Sequence, residues 1–206
     1  MKRVAMAVFV LSLASNVCWA GPIDLGGYSI VQHVSDQTYT FQLGWVVEPG
    51  QYVIVARDSS QQEFEAFWNV TLSDDVVFFS SENSMPMING DEYYELKDAL
   101  SVLIDGPTVA ITSGVDEAVA RIDPDLPPGV EGSWSRSGSF AATPGYGAGE
   151  SSETMLVINE FSDALGSGNY IYEYVELYYT PEPATLGLLG LGLSVVVARR
   201  KRRSRA

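Results

Sequence analysis

Along the middle of the chain, Val, Ile, Tyr, Phe and Thr recur in short alternating or continuous runs, separated by clusters of Gly, Pro, Asn and Asp. A two-residue period marks a strand with one buried face, and no stretch sustains the period of a helix. The pattern predicts strands over Tyr28–Val31, Tyr39–Leu43, Tyr52–Ala56, Val76–Ser80, Glu92–Lys97, Leu100–Ile104, Thr154–Glu160 and Tyr172–Tyr179. Turns are expected at Glu48-Pro49-Gly50, Asn89-Gly90-Asp91, Asp105-Gly106-Pro107 and Thr143-Pro144-Gly145. Short strands with this punctuation favour a two-sheet sandwich over an open barrel, so the fold class expected is all-β. The stretch Asp116–Gly149 is richer in Pro, Gly and Ser and poorer in apolar residues, and it reads as one long surface connection.

Two apolar segments at the ends follow a different pattern. Residues 1–20 open with Lys2 and Arg3, continue through the uncharged stretch Val4–Ala14, and finish on the small residues Cys18 and Ala20 before Gly21. That is the layout of a signal peptide, cut between Ala20 and Gly21. Ser15 stands where a lipoprotein cleavage site would want Leu, so Cys18 is not read as a lipid anchor. At the other end, Pro181-Glu182-Pro183 precedes an uncharged run over 184–198 and then Arg199, Arg200, Lys201, Arg202, Arg203 and Arg205. The two prolines keep the tripeptide out of helices and ladders, extended as a processing enzyme would need it. The run reads as a short transmembrane helix of about 22 Å, which arginines can lengthen by snorkelling. The basic cluster holds that end in the cytoplasm and leaves the body outside.

Charge sharpens this division. The chain has 26 Asp plus Glu and 12 Lys plus Arg. Between Gly21 and Thr180 only Arg57, Lys97, Arg121 and Arg136 are basic, against 25 carboxylates, a formal charge of −21. Nucleic-acid binding depends on Lys and Arg neutralising phosphates, so DNA and RNA are excluded as expected partners of the body. The charge also keeps an exported protein soluble. With 46% apolar and 11% aromatic residues the chain can build a core. The one cysteine, Cys18, leaves with the signal segment, so the mature body is expected to fold without disulfides.

The tail resembles the PEP-CTERM sorting signal in the order of its parts: tripeptide, short apolar helix and Arg-rich end, over residues 180–206. The resemblance implies recognition at Pro181, Glu182 and Pro183 by an exosortase-like membrane enzyme of a Gram-negative, exopolysaccharide-producing bacterium. It also implies a protein that is membrane-anchored before processing and then resides at the cell surface or in the extracellular matrix.

The body carries phrases similar to those of the lamin-tail domain, an immunoglobulin-like β-sandwich. IDLGGYSI at Ile23–Ile30 resembles that family's VDLSGWTL, EPGQYVIVARD at Glu48–Asp58 its PxGxYLVLAR, and SWSRSGSFAATPG at Ser133–Gly145 its late TPG turn. NGDEYYELKDALSVLIDG occupies Asn89–Gly106 between them. INEF at Ile158–Phe161 and EYVELYY at Glu173–Tyr179 resemble the family's opening phrases, INE and EFVELYN, yet here they come last. This order resembles a circular permutation, which implies that Tyr179 and Ile23 are neighbours in space. The alternative is that the last strand pairs with a neighbouring molecule. The organisation expected is therefore a signal peptide over 1–20, a lamin-tail-like sandwich over 21–179 and a sorting tail over 180–206.

Catalytic chemistry is poorly represented. The mature body has no Cys and one His, His33, so a nucleophile has little choice of base. His33 reads as a surface or hairpin residue, and the sequence has no HExxH, CxxC pair or phosphate-binding glycine loop. Asp74-Asp75, Asp91-Glu92, Asp116-Glu117 and Asp123 with Asp125 could offer oxygens to Ca²⁺, but none forms the spaced loop of an EF-hand, and solvated acids are the plainer reading. Phe64, Phe67 and Trp68, with Tyr172, Tyr174, Tyr178 and Tyr179, could stack on sugar rings, although packing within the body is the simpler use. No catalytic residue, metal ligand or cofactor is assigned. The function expected is a non-catalytic surface or matrix protein with a structural or adhesive role, with exopolysaccharide and other surface proteins as candidate partners. The alternatives are a module that binds exopolysaccharide or calcium and, more remotely, a carboxylate hydrolase.

Overall fold

The computed structural model describes residues 21–88, 90–112, 117–147, 151–153, 155–164, 166 and 168–181. Among the described residues the strands are β1 (Ile23–Asp24), β2 (Ser29–Gln32), β3 (Gln37–Thr40), β4 (Val46–Val47), β5 (Tyr52–Ala56), β6 (Val76–Ser80), β7 (Tyr94–Lys97), β8 (Leu103–Asp105), β9 (Glu117–Arg121), β10 (Trp134–Gly138), β11 (Leu156–Ser162) and β12 (Tyr174–Tyr179), with one α-helix, α1 (Gln61–Trp68). They form a six-stranded sheet in the order β10-β9-β11-β12-β5-β6, a four-stranded sheet β3-β2-β7-β8, and the small pair β1-β4. The fold is mostly β, and every pairing is antiparallel except β5 with β6.

One apolar core joins the two larger sheets. Val53, Val55, Phe161, Val175 and Leu177 enter it from the six-stranded sheet, and Ile30, Tyr94 and Leu96 from the four-stranded one. Each large side chain so buried contributes about 1.5–3 kcal/mol, which makes this core the main stabilising term. The four-stranded sheet alternates between buried and half-buried residues along β2 and β7, as a sheet with one covered face must. Strands β11 and β12 are buried at every position, because the other face of their sheet is covered too. Over that face lies a second cluster in which Phe64, Trp68 and Leu72 pack on Ile54, Ala56 and Tyr174.

The helix and part of the sheet correct the sequence reading. The sequence pattern predicts no helix within the body, yet Ser60 caps the Glu63 N–H and the Glu63 carboxylate returns to the Ser60 N–H, a capping box that starts α1. Phe64 and Trp68, one turn apart, then bury the same face. Eight residues are too few to show a period, but the crossover they make lets β6 lie parallel to β5. The stretch Asp116–Gly149 is likewise not one long connection, since it contains β9 and β10. Alanines and charged residues hid β9, whose sequence is EAVAR. Its charges are buried in pairs: Arg121 meets Asp105 at 2.6 Å, and Glu117 meets Arg136 at 2.7 Å.

Candidate functional site

The body ends on a strand held from both sides. Strand β12 pairs with β11 and β5 of its own chain, so its closure is intramolecular. The Tyr179 N–H donates to the Gln51 carbonyl (3.0 Å), and the Tyr179 carbonyl accepts from the Gly50 N–H (2.6 Å). Thr180 is wholly buried; its N–H donates to the Met155 carbonyl (2.8 Å), while its hydroxyl accepts from the Met155 N–H (2.7 Å) and donates to the Glu153 carbonyl (2.8 Å). Pro181 follows at once, and without an N–H it cannot extend the ladder. The Tyr179 hydroxyl donates to the Gly21 carbonyl (3.0 Å), so the expected first residue of the mature chain lies beside the last strand residue before the tail.

The sequence beyond this foothold decides the tail's nature. Residues 180–203 match the PEP-CTERM protein-sorting motif. A PEP-CTERM motif implies an exported protein that is sorted through the membrane by exosortase. Pro181 is the last described residue of the PEP-CTERM tail; Glu182, Pro183, the span 184–198 and Arg199, Arg200, Lys201, Arg202, Arg203 and Arg205 lie outside the described residues, as do residues 1–20 with Ala20. Among the described residues no helix is long and apolar enough to cross a membrane. No curated protein and no solved structure matches the chain.

Within the body, carboxylates gather where the sequence gave little warning. Glu160 and Glu176 stand directly opposite each other on β11 and β12, at 1% and 0% exposure. The ladder slips between Ile158 and Glu160, and Asn159 at that irregularity donates from Nδ2 to the Glu176 carboxylate (2.6 Å). The turn Thr143-Pro144-Gly145 docks on the pair. The Thr143 N–H (3.0 Å) and hydroxyl (3.2 Å) donate to Glu160, and the Gly145 N–H donates to Glu176. Gly145 holds φ +82, and a Cβ there would stand 3.0 Å from Val76. Burial raises the pKa of Glu160, and raises that of Glu176 far more, with the neighbouring Glu160 charge adding to it.

A third acid immediately precedes β12, an interior strand of the same sheet. Glu173 accepts from the Ile88 N–H (2.9 Å) and meets Arg57 at 3.4 Å, yet burial pushes its pKa up to about 7. Arg57 also donates from Nε to Asn83 (2.8 Å) and lies over the Tyr170 ring. With Lys97 against Glu95 at 2.9 Å, each of the body's four basic side chains meets a carboxylate.

The remaining sequence candidates are engaged in packing and turns. His33 sits after β2, stacked on Tyr93 (centroids 4.6 Å apart) and 3.0 Å from Glu95. Glu92 caps the Val34 N–H (3.0 Å) and the Ser35 hydroxyl, Asp123 the Asp125 N–H (2.9 Å), and Asp125 the Ser152 N–H (2.8 Å). Asp116 lies outside the described residues. Among the described residues no three acid, His or Cys side chains come together as a metal cluster would require. Phe64, Trp68 and Tyr174 are core residues, Phe67 stacks on Tyr172 (4.1 Å), and Tyr178 stacks on Tyr52 (4.5 Å). An acid set among large apolar and aromatic residues within a strand phrase, as in INEF and EYVELYY, was the available signal for the Glu160 and Glu176 pair.

Proposed function

We propose that the chain is a non-catalytic surface or extracellular-matrix protein in which an acidic, lamin-tail-like sandwich serves a structural or adhesive role. The signal segment exports it, with cleavage between Ala20 and Gly21. The tail anchors it until exosortase acts at Pro181-Glu182-Pro183. One observation carries this reading: the sorting motif over residues 180–203 opens on Thr180, a residue buried in the body.

The lamin-tail likeness draws support from the convergence of phrases that are far apart in sequence. INEF supplies Glu160, EYVELYY supplies Glu176, and the TPG turn supplies the N–H groups that both acids accept. The contact between Tyr179 and Gly21 agrees with the proximity that a permuted chain needs. Two points favour the absence of catalysis: His33 is held between Tyr93 and Glu95, and the paired acids Glu160 and Glu176 are closed to a substrate. Replacing Pro181, Glu182 and Pro183 by alanine, followed by fractionation of cells and medium, tests the assignment. Loss of surface or extracellular delivery is expected; undisturbed delivery would overturn it.

A further inference from the structure

The two larger sheets leave one flank of the body open. Strand β3 is one edge of the four-stranded sheet and β6 one edge of the six-stranded sheet. Between them lies a groove of about 330 Å³, within the range of roughly 300–1,000 Å³ usual for small-ligand sites. Its walls are β3 from Thr38 to Thr40, β6 from Phe78 to Ser80, and the loops bearing Gln42, Trp45 and Glu82.

Trp45 gives the groove its character. Trp45 is 38% exposed, and its ring packs edge-on against Phe79 with centroids 3.7 Å apart and planes at 69°. Phe79 is itself buried against Phe41. The indole is thus anchored on one side and accessible on the other. Around it the lining is rich in hydroxyls, from Thr38, Tyr39, Thr40, Ser80 and Ser84, with the Gln42 amide beside them. Glu82 is the one charged residue among the lining residues. Glu82 and Asn83 both hold left-handed backbone (φ 50 and 63), and the Arg57 bond to Asn83 pins that loop.

An anchored aromatic face, many short hydroxyl groups, one carboxylate and no cation together suit a ligand that is itself polyhydroxylated and uncharged. The C–H face of a pyranose can cover the indole, while its hydroxyls exchange hydrogen bonds with Thr, Ser and Gln and donate to Glu82. An anionic polymer meets the body's −21 formal charge with no base in the groove to offset it. An extended peptide adds to a sheet edge chiefly through main-chain hydrogen bonds, a mode that leaves the indole face and the surrounding hydroxyls unused.

We propose that the groove between β3 and β6 binds a neutral oligosaccharide chain, with Trp45 as the stacking platform and Gln42, Ser84 and Glu82 as hydrogen-bonding groups. This rests on the surface-protein reading and names the ligand class that such a protein would hold.

The test is calorimetry on the full chain purified from whole cells in detergent. The probes are three neutral hexaoses (a β-1,4-glucan, a β-1,3-glucan and an α-mannan), polygalacturonate, and a decapeptide of alternating Val and Thr. At least one neutral hexaose should bind. Trp45→Ala should weaken that binding by about tenfold or more, with partial recovery in Trp45→Phe. The double variant Gln42→Ala with Ser84→Ala alters exposed side chains, so it keeps the test open should Trp45→Ala fail to fold, and it should also weaken binding. Phe140→Ala, at an exposed aromatic that packs near Phe67, should leave it unchanged. Binding by none of the neutral chains, binding confined to polygalacturonate or the peptide, or wild-type affinity in both groove variants overturns the proposal. Delivery scored in the same cells separates the two claims: normal delivery without sugar binding sinks the groove alone, and sugar binding without delivery sinks the sorting assignment alone.

Discussion

The two faces of the six-stranded sheet are both buried, yet they are built on different principles. The inner face presents Val53, Val55, Phe161, Val175 and Leu177 to the other large sheet, and burial there needs nothing but shape. The outer face mixes Ile54, Ala56 and Phe64 with Tyr174, Glu160 and Glu176. Its acids are held by backbone N–H groups of a turn and by Asn159, with no base beside them. The inner face should therefore be intolerant of truncation, and its response to pH comes from Glu173 before β12, whose carboxylate accepts from the Ile88 N–H of that core. The outer face should respond to pH and tolerate neutral replacements of its acids.

The largest contrast should come from truncating the inner face. Phe161 is wholly buried against Tyr94 and Trp134, so Phe161→Ala should cost about 3–5 kcal/mol in urea unfolding at any pH where the protein folds. A loss below about 1 kcal/mol would mean that the two large sheets do not share a packed core.

Acidity should act next, and in an uncommon direction. Folded Glu173 keeps its proton up to about pH 7, whereas the unfolded carboxyl releases it near 4.5. Between those values the folded state binds more protons, so this stabilisation is complete below about 4.5 and lost as pH rises through 7. Glu160 and Glu176 are shifted the same way. Thermal unfolding from pH 5 to 8 should show stability falling by about 2–3 kcal/mol from Glu173 alone. A flat or rising profile would remove these acids from the account.

Glu176→Gln keeps the shape of the neutral acid and removes its titration. It should leave stability near pH 5 within about 1 kcal/mol of wild type and flatten the decline toward pH 8, read by the same thermal series. The smallest effect belongs to the cap of α1, the element that covers the outer face. Ser60→Ala should cost about 1 kcal/mol in urea unfolding and leave the pH profile in place.

The same contrast explains what could be read from the chain. Strands β5 and β6 have the predicted bounds because their apolar runs are flanked by turn residues on both sides. Strand β9 escaped notice because its burial depends on partners distant in sequence: Asp105 for Arg121 and Arg136 for Glu117. Helix α1 escaped because Phe64, Phe67 and Trp68 carry the helical spacing for a single turn, too short a stretch to establish a period. The tail was legible because its signal is linear, a fixed order of parts that needs no folding partner. The groove was not, since Trp45, Thr40 and Ser84 come together only when two sheet edges face one another.

Intact-mass spectrometry of the protein recovered from outside the cell tests the central claim most directly, because it reads both ends at once. A chain that begins at Gly21 and lacks the Arg-rich terminus is the expected result. A full-length mass, found in the cytosol with nothing in the envelope or the medium, would contradict it.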